Sequence, residues 1–105
     1  MYKGYQDKDI LYFNHSRNEL LPYIPTDIKV VLEVGCGSGN FGEMLKALYG
    51  CRVWGVEPDP SSAIIAMEKL DKIFNKPFDR ETGIPIEEKF DCIFFNDVLE
   101  LIGYF

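Results

Sequence analysis

A chain of 105 residues has room for one modest hydrophobic core and not for two, so a single domain spanning residues 1–105 is expected. With 47% hydrophobic, 14% aromatic and 27% charged residues, the composition excludes a disordered polypeptide. Eleven Lys and Arg stand against 17 Asp and Glu, and the formal balance of -6 argues against a nucleic-acid backbone or an anionic membrane as partner.

Cys36, Cys51 and Cys92 are odd in number and contain no C-x-x-C pair, which predicts neither a zinc site nor a disulfide framework and fits a reducing cytoplasm. No apolar run approaches the roughly 18 residues of a membrane span, and MYKGYQDKD has no signal-peptide hydrophobic region. A soluble cytoplasmic protein, not exported, is the expectation.

Residues 1–28 are expected to form an N-terminal helical or lid segment of the domain. Tyr2, Tyr5, Tyr12 and Phe13 either pack onto a sheet or fold over a ligand. His15, the sole histidine, is read as a surface or capping residue in preference to a proton acceptor. The stretch SRNELLPY predicts a short helix with a capping box of Ser16 and Glu19. Residues 29–34, with three valines, then read as a buried parallel strand ended by glycines. Phe41, Met44, Leu45, Leu48 and Tyr49 recur at helical spacing over residues 40–49, and Gly50 closes that helix.

A second strand is predicted over residues 51–57 (CRVWGVE). Asp59 caps a helix that begins at Pro60 and runs through SSAIIAMEKL. A weak third strand at residues 72–74 precedes an irregular stretch with Pro77, Gly83 and Pro85. FDCIFF, residues 90–95, is a clear fourth strand, and DVLELIGYF a last helical segment. Strands alternating with helices predict an α/β architecture, a parallel sheet covered on both faces through right-handed crossovers.

Gly35, Gly37 and Gly39 follow the first predicted strand as G-x-G-x-G, a turn that lets main chain approach a ligand and aims the next helix at it. The frame Gly37, Gly39, Gly42 satisfies G-x-G-x-x-G by letter but starts two residues late for a strand ending at Val34. In the frame that fits, Asn40 replaces the third glycine of a dinucleotide fingerprint. Glu57, 22 positions after Gly35, ends the second strand, where a carboxylate can accept both ribose hydroxyls of an adenosine. Both a dinucleotide and a sulfonium nucleoside predict that residue. Glu33 separates them, because a carboxylate beside the loop repels a pyrophosphate and attracts a cation.

VLEVGCGSG, VWGVEPD and FDCIFFNDVLEL, in that order and spacing, resemble the first, second and fourth-strand motifs of class I S-adenosylmethionine-dependent methyltransferases. YFNHSRNELLPYIP is similar to the segment that precedes the first strand in one broad group of them. The resemblance implies a Rossmann-like three-layer sandwich with strand order 3-2-1-4 and S-adenosylmethionine as cofactor. It implies that Glu33, Gly35 and Gly37 surround the methionine moiety, that Cys36 and Gly39 belong to the same cofactor-binding loop, and that Glu57 binds the ribose. Pro58 and Asp59 would flank the adenine, and Asn96 and Asp97 would line the cleft. Asp59, Asn96 and Asp97 are equally readable as helix caps, and Cys36 as small apolar filler.

Two positions depart from the family pattern. Asn75 and Lys76 stand where an acidic residue usually contacts the adenine amino group, and Leu101 replaces the histidine of V-L-E-H. The family fold continues past its fourth strand, so the chain reads as an N-terminal piece of a longer protein. Its fourth strand, at an edge, would self-associate, directly or through the following helix. No metal site and no catalytic side chain is assignable, since in-line methyl transfer needs alignment and not a protein nucleophile. The acceptor, a small molecule in preference to nucleic acid, is not encoded. The alternatives are a non-catalytic adenosyl-binding or degenerate module and an NAD-binding domain of an oxidoreductase.

Overall fold

The computed structural model describes residues 11–13, 24–84 and 89–96, the first three by backbone alone. Its elements run β1 (Leu11–Phe13), β2 (Val30–Val34), α1 (Asn40–Tyr49), β3 (Arg52–Val56), α2 (Pro60–Met67), β4 (Lys72–Phe74) and β5 (Cys92–Phe95). All pairings are parallel, in the spatial order β1-β5-β2-β3-β4. The expected 3-2-1-4 order is present as β4-β3-β2-β5, with β1 added outside it. The Ser16 helix, His15, Tyr2, Tyr5, Asp97 and the DVLELIGYF segment lie outside the described residues.

Every residue of β2 is buried, as a strand covered on both faces must be. Its side chains alternate between two cores. Val31 joins Phe41 and Leu45 of α1, Ala66 of α2, Leu70, Cys92, Phe94, Ile24 and Ile28 on one face. Val30, Leu32 and Val34 join Trp54, Val56, Phe90 and Phe95 on the other, with Phe74, Phe78 and Ile84 packed against them. Both helices therefore cover one face, because β2, β3 and β4 step in one direction and successive right-handed crossovers fall on the same side. From β4 the chain must return past β2 to reach β5. Among the described residues of that return, an aromatic loop and not a helix covers the second face.

Acidic side chains tie down the amino ends of the strands. Asp91 accepts the amides of Lys29 (2.7 Å) and Val30 (3.0 Å), and Asp71 accepts the Val53 amide (2.7 Å) and pairs with Lys46. Burial raises the Asp71 carboxyl, but hydrogen bonds from Lys46 and the Val53 amide outweigh it and hold the group below its ordinary range. Helix α2 stops three residues short of the predicted end. The amides of Glu68 and Lys69 close tighter turns onto Ile65 and Ala66.

The open edge expected at FDCIFF is corrected. β5 pairs with β2 on one side and with β1 on the other, in the register Leu11↔Cys92, Tyr12↔Ile93, Phe13↔Phe94. An apolar edge strand presents a row of unsatisfied amides and carbonyls, and a short stretch of the N-terminal segment covers it. Tyr12 and Phe13, read as packing onto a sheet or folding over a ligand, are themselves strand residues.

Candidate functional site

The carboxyl ends of β2, β3, β4 and β5 meet where the order turns back, with β3 to one side of β2 and β5 to the other, the usual place for a ligand crevice in an open α/β sheet. Beyond β2 the amides of Gly35 (2.8 Å) and Cys36 (3.1 Å) both donate to the Val56 carbonyl, folding the chain over the end of β3. Gly37 and Gly39 then take φ of 59° and 91°, a region in which side chains are strained. A Cβ built on Gly37 would meet nothing within 4 Å, so the loop's outer side is open to an approaching molecule.

Gly39 and Gly42 serve packing. A Cβ on Gly39 would lie 3.2 Å from Ala66 Cα, and one on Gly42 would lie 2.7 Å from Leu70 Cδ2, 3.0 Å from Val53 Cγ1 and 3.2 Å from Glu33 Oε1. Gly42 thus does the work of the third fingerprint glycine, bringing the helix close to the sheet. Its signal was the G-x-G-x-x-G frame set aside for starting late. Gly55 is the counterpart in β3, where a Cβ would stand 2.6 Å from Cys36 Sγ. An isolated glycine inside a strand marks such close approaches. Cys36 is accordingly a buried filler that seats the loop on β3, with no exposed thiol.

Glu33, expected to surround the methionine moiety, is fully buried at 0% exposure. Alternation along β2 puts it on the Val31 face, and the missing side chain at Gly42 leaves its carboxylate room under α1. Asn96 Nδ2 donates to Glu33 Oε2 at 2.6 Å, while the Asn96 amide donates to the Val34 carbonyl at 3.0 Å. Glu33 and Asn96 therefore join the ends of β2 and β5.

Glu57 is half-buried and directly engaged with the loop. Its Oε1 accepts the Gly37 amide at 2.8 Å and its Oε2 the Asp59 amide at 3.0 Å. Pro58 and Asp59 are exposed beside it. Asp59 caps α2, accepting from Ser61 Oγ (2.8 Å) and the Ser62 amide (3.0 Å), and these bonds hold its carboxyl below the usual range. From the end of β4, Asn75 Nδ2 donates to the carbonyls of Glu57 (2.8 Å) and Pro58 (3.0 Å). That link was invisible in sequence, where Asn75 registered only as a departure from a pattern.

Of the expected residues, Gly35, Gly37, Glu57, Pro58, Asp59 and Asn96 gather at the crevice. Glu33, Cys36 and Gly39 support it from within. Among the described residues no group of three or more His, Cys, Asp or Glu side chains could hold a metal ion, and no helix is long and apolar enough to cross a membrane.

A family model described as a methyltransferase domain matches residues 5–104. Comparison with curated proteins returned no match. Since that model covers nearly the whole chain, and the sheet order and strand-end glycine turn agree with it, the chain belongs to the methyltransferase domain family, with a class I architecture.

Proposed function

We propose that this domain binds S-adenosylmethionine in the crevice at the strand ends and transfers its methyl group to an acceptor, a small molecule in preference to nucleic acid. One observation carries the reading: the Gly37 amide, which would cradle a phosphate in a dinucleotide site, already donates to the carboxylate of Glu57. A pyrophosphate entering there would meet that carboxylate at contact and the buried charge of Glu33 behind it, a repulsive combination. A ribose diol instead finds free acceptor capacity, because each carboxylate oxygen has two lone pairs and the protein uses one of each here.

The chemistry of the residues present suits the cofactor. Open space beside Gly37 admits the nucleoside to the main chain, Glu57 takes the ribose hydroxyls, and Pro58 and Asp59 flank the base. When bound, S-adenosylmethionine supplies a methyl group on a positively charged sulfur, ready for in-line displacement. The chain's own contribution is alignment, exclusion of water and a negative field from Glu33 and Glu57 that favours a cation. The three free buried cysteines accord with a reducing, cytoplasmic location.

Equilibrium binding of S-adenosylmethionine, followed by incubation with a panel of small nucleophilic acceptors, tests the proposal. Saturable binding and a methylated product are expected. Binding without product across the panel would favour the non-catalytic module, and absence of binding would overturn the reading.

A further inference from the structure

We infer that Asn75 is a positioning residue for Glu57, and that the acid usual in the family at this place would weaken adenosyl binding in this chain. The inference rests on the adenosyl reading above. Asn75 belongs to a chain of hydrogen bonds that crosses three strand ends. Its amide nitrogen holds the carbonyls of Glu57 and Pro58 from β4, and the Glu57 amide donates back to the Phe74 carbonyl at 2.9 Å. The Glu57 carboxylate, at the head of that clamped turn, grips the Gly37 amide of the loop beyond β2.

The chemistry of the clamp is one-sided. Two carbonyl oxygens can be satisfied together only by a group with two N–H donors, which the primary amide of asparagine has and a carboxylate lacks. In N75D the new carboxylate would set lone pairs against both carbonyls at about 3 Å and add a negative charge near Glu57. It must therefore turn away and release the turn. Asn75 thus acts through Glu57 on the glycine loop.

The test compares wild type, N75D, N75A, E57Q and the N75A/E57Q double variant in two measurements. One is the amide spectrum of the 15N-labelled protein without ligand, read at Gly37 and Asp59. The other is S-adenosylhomocysteine affinity by calorimetry. Loss of the clamp predicts an upfield move of the Gly37 amide proton in both N75A and N75D, and affinity about five- to tenfold weaker, the effect of one or two net hydrogen bonds. N75D should be the weaker binder of the two, and N75A should cost nothing further once Glu57 is already glutamine. An unmoved Gly37 resonance, N75D binding as tightly as wild type, or additive losses in the double variant would each overturn the inference. Failure of the wild type to bind would sink the adenosyl reading instead, while the ligand-free spectra would still decide the positioning role.

Discussion

Glu57 does two things at once: it completes the protein's own loop and presents acceptors to the crevice. A glutamine there keeps one acceptor oxygen but sets an NH2 group against an amide N–H. The E57Q variant is therefore expected to lose at least about tenfold in S-adenosylhomocysteine affinity, as charge-assisted hydrogen bonds are lost, with little change in far-ultraviolet circular dichroism. An unchanged affinity would remove Glu57 from the site. Glu33 shows where residue-scale reading stops. Its acid character and strand-end position were legible, but its burial follows from a helix lying close at Gly42, which sequence periodicity does not show.

Cys92 carries a pH signature of its own. Burial in the core, with smaller contributions from Asp91 and Cys51, pushes its thiol up to about 12 from an ordinary 9.0, and burial likewise raises Cys51. Above pH 9 the unfolded chain releases these protons while the folded chain keeps them, so the unfolded state binds fewer protons and stability falls as pH rises. For Cys92 the fall spans roughly pH 9 to 12, at most about 1.4 kcal/mol per pH unit. Denaturant unfolding followed by the fluorescence of Trp54, the only tryptophan, should show this slope, and C92A should reduce it. A stability independent of pH over that range would contradict the assignment.

At the scale of elements, the loop beyond β2 is held from below by complementary small residues. G55A places a methyl 2.6 Å from Cys36 Sγ and 3.0 Å from Ile73 Cδ1, an overpacking expected to cost about 1–3 kcal/mol. Because the main obstacle is the cysteine sulfur, C36A in the same chain should recover part of that loss. Additive destabilisation in the double variant would show that the two residues are not in the contact described. The elements themselves were largely readable. Residues 40–49 form the helix their spacing predicts, with Gly50 as its cap and its amide bonded to the Lys46 carbonyl. β1 escaped notice because three residues are too few to show alternation, and what makes them a strand is the exposed flank of β5, a partner about 80 positions away in sequence.

For the whole molecule, the order of strands determines both where the strand ends meet and which strand flanks are covered. Alternating strand and helix patterns were enough for a parallel sheet, and the family resemblance supplied the order β4-β3-β2-β5. The stretch after β4 read as irregular, as its described residues are, but the packing of Phe78, Ile84 and Phe90 over the second face was not legible, because it depends on contacts with Trp54 and Phe95. β1 blocks the edge of a buried apolar strand, so deleting residues 1–13 should expose it. Light scattering is expected to show concentration-dependent association of the deleted chain under conditions where the full chain shows less. Equal behaviour of the two would mean that β1 is not a functional edge cover.

On the proposed reading, the glycine loop and the carboxylate on its amide, with Glu33 buried behind them, favour a cationic nucleoside over a diphosphate. Calorimetric titration of the same protein with S-adenosylmethionine and with NAD, in one low-salt buffer, puts that preference to the test. The account predicts saturable binding of the sulfur nucleoside and none, or at least about a hundredfold weaker binding, for the dinucleotide. Tighter binding of NAD would contradict it.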